Sequence, residues 1–328
     1  MSTDHRAKPP ALSKVRELFE EPLLQLVFRA AAIHREHHRP EAVQRSQLLS
    51  VKTGGCPEDC SYCSQSVHFD TPIAAQRLLP LEEVLAAARS AKAGGADRFC
   101  MGAAWRAAPN GRQFRSILEM VEKVKALGLE TCATLGSLDL DQGRQLKAAG
   151  LDYYNHNLDT GRSYYDRVVS THTYDDRLAT LRNVREAGLR LCCGGILGLG
   201  ESESQRAELL WQLAQLDPPP ESVPINTLVA IPGTPLAEAP PVDWSDVVRT
   251  VAVARVLLPR ADLRLSAGRG ELSEEAQALA FLAGANSIFV GEELLTTPNP
   301  EPSDDDRLLA KLGLVSLARA RQPAGSRS

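Results

Sequence analysis

Gln47-Leu48-Leu49-Ser50-Val51-Lys52-Thr53 leads directly into Gly54-Gly55-Cys56-Pro57-Glu58-Asp59-Cys60-Ser61-Tyr62-Cys63. The first run is short and β-like, and the second sets three cysteines at C-x3-C-x2-C spacing just beyond the strand end. Outward from here the pattern repeats. Strand-like runs near 47–53, 97–103, 129–135, 151–157, 189–196, 222–231, 262–268 and 286–290 alternate with helical ones. The helical patterns lie near 81–93, 114–127, 140–149, 175–187, 203–216, 244–258, 273–283 and 304–312. Gly94, Gly128, Gly150 and Gly188 stand where a helix would be capped before the next strand. Eight βα repeats over roughly 250 residues predict an α/β fold, a complete (β/α)8 TIM-type barrel. An open doubly wound sheet shares the alternation.

The barrel is expected over 46–300. Residues 1–45 read as an N-terminal helical extension, with Val15, Leu18, Phe19 and Leu23 at helical spacing. On it, His34, His37 and His38 read as solvated rather than ligating. Residues 301–328 read as a C-terminal helix followed by a tail that frays.

The chain has 328 residues, 43% hydrophobic and 24% charged, which suits a soluble protein with a substantial core. A net charge of −4 gives no attraction for nucleic acid or an anionic membrane. No apolar run approaches the roughly 18 residues of a span. The N-terminus lacks a signal peptide's apolar core, so a cytoplasmic location is expected. Seven cysteines, an odd number in a reducing compartment, point to metal binding or catalysis rather than disulfides.

In a barrel the three-cysteine loop lies at the C-terminal face of the strands, where active sites form. Three thiolates can hold three irons of a [4Fe–4S] cluster, which ordinarily takes four cysteines. One iron then stays open, as catalytic zinc keeps an open position. A zinc site completed by a distant residue is the alternative, with no nearby fourth ligand at finger spacing.

Cys100, Cys132 and Cys192 fall on separate predicted strands, and strand alternation tests their direction. In 189–196, Leu189, Leu191 and Cys193 share the apolar face that suits the helix-covered outside, so Cys192 points inward. By the same parity Arg98 and Cys100 oppose Phe99 and Met101, Cys132 opposes Leu129 and Leu135, and Arg264 opposes Leu263 and Leu265. Each cysteine alone could be core packing. A buried arginine without a partner is costly, and thiolates carrying a second cluster would supply its negative charge.

The three-cysteine spacing, with an aromatic residue before the last cysteine, resembles the radical S-adenosylmethionine superfamily. Further segments resemble biotin synthases: Thr53 to Cys60, Arg98-Phe99-Cys100-Met101-Gly102-Ala103-Ala104-Trp105, Tyr153-Tyr154-Asn155-His156-Asn157-Leu158-Asp159-Thr160, Gly194-Gly195-Ile196, Gly198 to Glu201, Ser222 to Asn226, Gly233 to Leu236, and Arg264 to Arg269. They occur in order between about residues 12 and 300. The resemblance implies a radical S-adenosylmethionine sulfurtransferase that inserts sulfur from a [2Fe–2S] cluster into dethiobiotin, the final step of biotin biosynthesis.

It also implies ligands and contacts. Cys56, Cys60 and Cys63 would hold [4Fe–4S]; Cys100, Cys132, Cys192 and Arg264 would hold [2Fe–2S]. Tyr62, Asn157, Asp159, Arg177 and Ile196 would contact S-adenosylmethionine, and Asn155 and Asn226 dethiobiotin. A flavodoxin or ferredoxin reductant, iron–sulfur assembly proteins and homodimerisation are implied likewise. Cys193 departs from the pattern, where a small non-cysteine residue is expected. A different radical enzyme on the same barrel, or an electron-transfer or cluster-carrier protein, remain alternatives.

Overall fold

The computed structural model describes residues 9–291 and 293–320. Helices α1 (Leu12–Glu20) and α2 (Leu23–His37) precede β1 (Ala42–Lys52). The alternation continues with α3 (Leu81–Ala93), β2 (Arg98–Ala103), α4 (Arg112–Ala126), β3 (Glu130–Thr134), α5 (Leu140–Ala148), β4 (Tyr153–Asn155) and α6 (Tyr174–Glu186). Then come β5 (Arg190–Cys192), β6 (Gly195–Leu197), α7 (Glu203–Gln215), β7 (Ser222–Thr227), α8 (Trp244–Leu257), β8 (Asp262–Leu265), α9 (Glu274–Leu282) and β9 (Ser287–Val290). A small hairpin of β10 (Glu293–Leu294) and β11 (Thr297–Pro298) follows, and α10 (Pro302–Lys311), β12 (Val315–Ser316) and α11 (Leu317–Ala320) end the described chain.

All barrel pairings are parallel, and β1 pairs with both β2 and β9, from Gln44↔Ser287 to Gln47↔Val290. The sheet therefore closes, which settles barrel against open sheet. β5 and β6 together occupy the fifth strand position, both pairing with β7. Capping boxes start α5 (Asp139 with Gln142) and α6 (Thr173 with Asp176), supplying partners for the first orphan N–H groups. The helices bury one apolar face each, as with Val84, Ile117, Leu146 and Val251, against the outward side of the strands.

Three expectations are corrected. The first strand begins at Ala42, five residues before the expected start, because Ala42 and Val43 pair with Val315 and Ser316. That pairing also means the chain does not fray after one C-terminal helix; residues 321–328 lie outside the described residues. His34 and His38 are not solvated. His34 is buried, the two rings stack at 5.1 Å, and His38 Nε2 lies 2.8 Å from the buried Arg255 guanidinium. Burial, then the Arg255 charge, lowers His34 to about 3 and lowers His38 as well, so both stay neutral. His37 is exposed, as expected.

α10 is tied to the barrel by an ion pair with both side chains only 2% exposed: Arg269 donates to Asp305 at 2.7 and 2.9 Å, and also to Gln277 and the Phe289 carbonyl. Removing one member strands a buried charge, so Asp305→Ala is expected to destabilise the fold by about 3–5 kcal/mol. Urea unfolding checks this; a change below about 1 kcal/mol would mean the pair is not holding α10.

Candidate active site

One cavity of about 340 Å³ occupies the C-terminal end of the barrel. The fourteen residues nominated above, from Cys56 to Arg264, all line it, and Cys193 does not. Strand parity explains the difference: Cys193 is buried in the main core against the helices, whereas Cys192 shares a separate interior cluster with Cys100, Cys132, Tyr153 and Phe289.

The three-cysteine loop is held by its own backbone and by the segment before α6. Cys56 N–H donates to the Gln65 carbonyl and Cys63 N–H to the Cys60 carbonyl, both at 2.9 Å. Asp59 accepts from the N–H groups of Ser170 and Thr171 at 2.9 and 3.1 Å, and Glu58 Oε2 lies 2.6 Å from His172 Nδ1. Gly54 and Gly55 take positive φ, and a Cβ on Gly54 would meet the Ala74 carbonyl oxygen at 2.8 Å. Burial pushes the Cys63 thiol up to about 11 and raises Cys60 and Cys56 too, so iron would displace protons here.

Deeper in, Arg264 is 1% exposed, and none of its hydrogen-bond partners among the described residues is a carboxylate. Ser287 Oγ lies at 3.0 Å, Ser46 Oγ at 3.1 Å, Gln44 Oε1 at 3.2 Å and Cys192 Sγ at 3.8 Å. Cys100 and Cys192 pack with Cys132 in one buried cluster; the Cys132 thiol beside them, then the charges of Arg264 and Arg98, hold those two below the usual thiol range. Cys132 is correspondingly raised. A buried guanidinium facing three thiols with no carboxylate is the chemistry of an anionic thiolate cluster site. Among the described residues, no three His, Cys, Asp or Glu side chains form a single-ion site. The all-thiol donor sets suit iron–sulfur groups.

Between the two cysteine sets lie the amides. Asn155 donates to Cys192 Sγ at 3.3 Å and to Asn157 Oδ1 at 3.2 Å, and Asn226 donates to the Gly195 carbonyl at 2.9 Å. Asp159 adopts φ 65° beyond β4 and pairs with Arg177 at 3.1 Å, so the two nominated contacts engage each other. The expected unbroken strand 189–196 is interrupted at Cys193-Gly194. A Cβ on Gly194 would lie 1.9 Å from the Pro224 carbonyl oxygen, so this approach of β7 admits only glycine. Ile196 Cα-pairs with Asn226 across β6 and β7.

The sequence reading missed several wall residues. Leu294 and Thr296 reach the cavity from the β10–β11 hairpin, and Thr296 Oγ1 lies 2.8 Å from Ser64 Oγ on the cysteine loop. Nothing in their pattern marks them. Of the residues that surround Arg264, Ser287 could have been found by the same parity that found Arg264, whereas Gln44 and Ser46 precede the expected start of the first strand.

Residues 50–211 match the Radical SAM superfamily and residues 224–315 the Biotin and Thiamin Synthesis associated domain. The chain is 59% identical over 314 residues to a biotin synthase of Nitrosococcus oceani, covering 96% of this chain and 91% of that one. A biotin synthase of Azoarcus sp. is 58% identical, with 93% and 94% covered. The chain belongs to the biotin synthase family. It is accordingly a radical S-adenosylmethionine enzyme. The crystal structure of a methylornithine synthase shares the fold at a TM-score of 0.78 and 17% identity, covering 96% of each chain. A maturase of the [FeFe]-hydrogenase shares it at 0.78 and 17%, covering 93% of this chain and 74% of that one. In a biotin synthase the two cysteine sets gain a specific reading.

Proposed function

We propose that this chain converts dethiobiotin to biotin with two iron–sulfur clusters. The observation that carries the proposal is one cavity with an exposed-side cysteine triad at its mouth, and three cysteines plus a carboxylate-free Arg264 at its base. Cys56, Cys60 and Cys63 would hold a [4Fe–4S] cluster; Cys100, Cys132, Cys192 and Arg264 would hold a [2Fe–2S] cluster. When bound, the outer group supplies an electron for cleaving S-adenosylmethionine and the inner group supplies sulfide.

The protein's own residues bind, orient and exclude water. Arg177 can pair with the methionyl carboxylate while Asp159 and Asn157 offer acceptors to ribose hydroxyls. Tyr62 and Ile196 offer apolar surface to the adenosyl group. Asn155 and Asn226 can read a ureido ring, whose carbonyl and N–H groups match an amide's donors and acceptors. Asn155 also touches Cys192, so it would fix the substrate directly beside the inner sulfurs.

Among the described residues no helix is long and apolar enough to cross a membrane. A cytoplasmic location, a flavodoxin or ferredoxin reductant, assembly proteins that rebuild the inner cluster, and a homodimer complete the proposal.

The test is an anaerobic reaction of reconstituted protein with dethiobiotin, S-adenosylmethionine and a reductant, assayed for biotin and deoxyadenosine. Both should appear. Deoxyadenosine without biotin would overturn the substrate assignment and keep the radical chemistry. Arg177→Gln is expected to raise KM for S-adenosylmethionine at least about tenfold, because a charge-assisted bond is lost and Asp159 is left unpaired. An unchanged KM would remove Arg177 from the binding site.

A further inference from the structure

Each inner cysteine stands two residues after a charged one: Arg98-Phe99-Cys100, Glu130-Thr131-Cys132 and Arg190-Leu191-Cys192. With a strand period of two, the three charges share the cysteines' inward face, one layer closer to the N-terminal end of the barrel. There they assemble around Tyr153. The Arg98 guanidinium lies 3.7 Å from the Tyr153 ring centroid and that of Arg190 lies 4.0 Å from it. Glu130 accepts from Arg98 at 3.1 and 3.2 Å and from Arg190 at 3.4 Å, and Asp152 pairs with Arg190 at 3.3 Å and with Lys125 at 2.6 Å. Arg98 also donates to Ser222 Oγ at 3.1 Å, and Ser222 in turn lies 3.6 Å from Cys192 Sγ.

The layer is thin and graded. Arg98 is fully buried and Tyr153 is 4% exposed, while the Arg190 side chain is 41% exposed. Tyr153 packs on one side against the three thiols and is flanked on the other by charges that reach solvent. Arg98 and Arg190 each have a carboxylate partner within the layer, Glu130 for both and Asp152 for Arg190 as well, so neither guanidinium is buried unpaired. We infer that Arg98, Tyr153 and Arg190, braced by Glu130 and Asp152, form the seal that keeps water and small chelators from the inner-cluster site at the barrel's N-terminal end. The inference rests on the inner-cluster reading of Cys100, Cys132, Cys192 and Arg264. A cluster whose sulfide is to be spent on substrate has particular need of one, since solvent access governs the lability of bound iron.

The test follows iron release into excess EDTA, anaerobically, from reconstituted protein with S-adenosylmethionine and dethiobiotin bound over the cavity mouth. Mössbauer spectra of iron-57-reconstituted protein follow the two clusters separately, so the outer cluster is an internal control. Tyr153→Ala should speed release of inner-cluster iron at least about tenfold, the lower end of what removing a supporting residue costs a metal site. Release from the outer cluster should not change, and Tyr153→Phe, which keeps the ring, should behave as wild type. Arg190→Ala, at the solvent-facing side, should speed release in the same direction and serves if Tyr153→Ala does not fold. Wild-type release rates in both truncations, or equal acceleration of both clusters, would overturn the seal. Iron and sulfide analysis showing that unmodified protein takes up only one cluster would instead overturn the inner-cluster reading.

Discussion

A Cys60→Ala chain is expected to yield neither deoxyadenosine nor biotin, each falling at least ~100-fold, since even supporting residues of a metal site are worth about 10–100-fold. Cys60 is the most enclosed of the outer three, 8% exposed, with Cys56 and Cys63 half-buried on either side. Its loss leaves two thiols for a group that already has one ligand fewer than usual. The scaffold should survive, because the loop is fastened by other atoms. Asp59 holds Ser170 and Thr171, Ser61 N–H donates to the Val168 carbonyl at 2.8 Å, and Cys56 N–H donates to Gln65. Chromatography of both products with far-UV circular dichroism on the same sample checks the pair of outcomes. Deoxyadenosine at the wild-type rate would show that the reducing electron enters elsewhere. The same variant separates an enzyme from a cluster carrier, which has no use for S-adenosylmethionine cleavage.

The barrel was legible because its signals are local and repeated: period-two runs, period-near-four runs, and glycines between them. The inner site was legible for a related reason. Alternation decides which side of a strand a residue faces, and it separated Cys192 from its neighbour Cys193 without any knowledge of the cluster. The departures have a different origin. The extension of β1 back to Ala42 depends on Val315 and Ser316, more than 270 residues away, and no local pattern carries that pairing. His34 and His38 were misplaced because helical spacing gives a face but not what covers it; here that is α8 with its buried Arg255. The break at Cys193-Gly194 likewise follows from the Pro224 carbonyl on the next strand. Leu294 and Thr296 belong to a hairpin whose place over the cavity is set only by the closed barrel.

Cys100→Ala is expected to separate the two products: deoxyadenosine persists while biotin falls at least ~100-fold. The outer loop and the inner thiols sit on different elements, so the substitution leaves Cys56, Cys60 and Cys63 with all their backbone bonds. Arg177 and Asp159 likewise keep each other. What changes lies at the base of the cavity. Cys100, Cys132 and Cys192 share one buried cluster, so removing one sulfur leaves the inner set two thiols instead of three. Arg264 would then face two thiols and the neutral oxygens of Gln44, Ser46 and Ser287. With no stable anionic group to offset it, that buried charge costs stability, so the loaded variant should gain less in thermal midpoint than loaded wild type. Iron and sulfide analysis, product chromatography and melting curves report on these three consequences independently. Biotin retained at the wild-type level would mean that the sulfur does not come from this site, and Arg264 would need another anion. Loss of both products together would mean that the two cysteine sets are not independent, and that the inner one helps to hold the S-adenosylmethionine end of the cavity in shape.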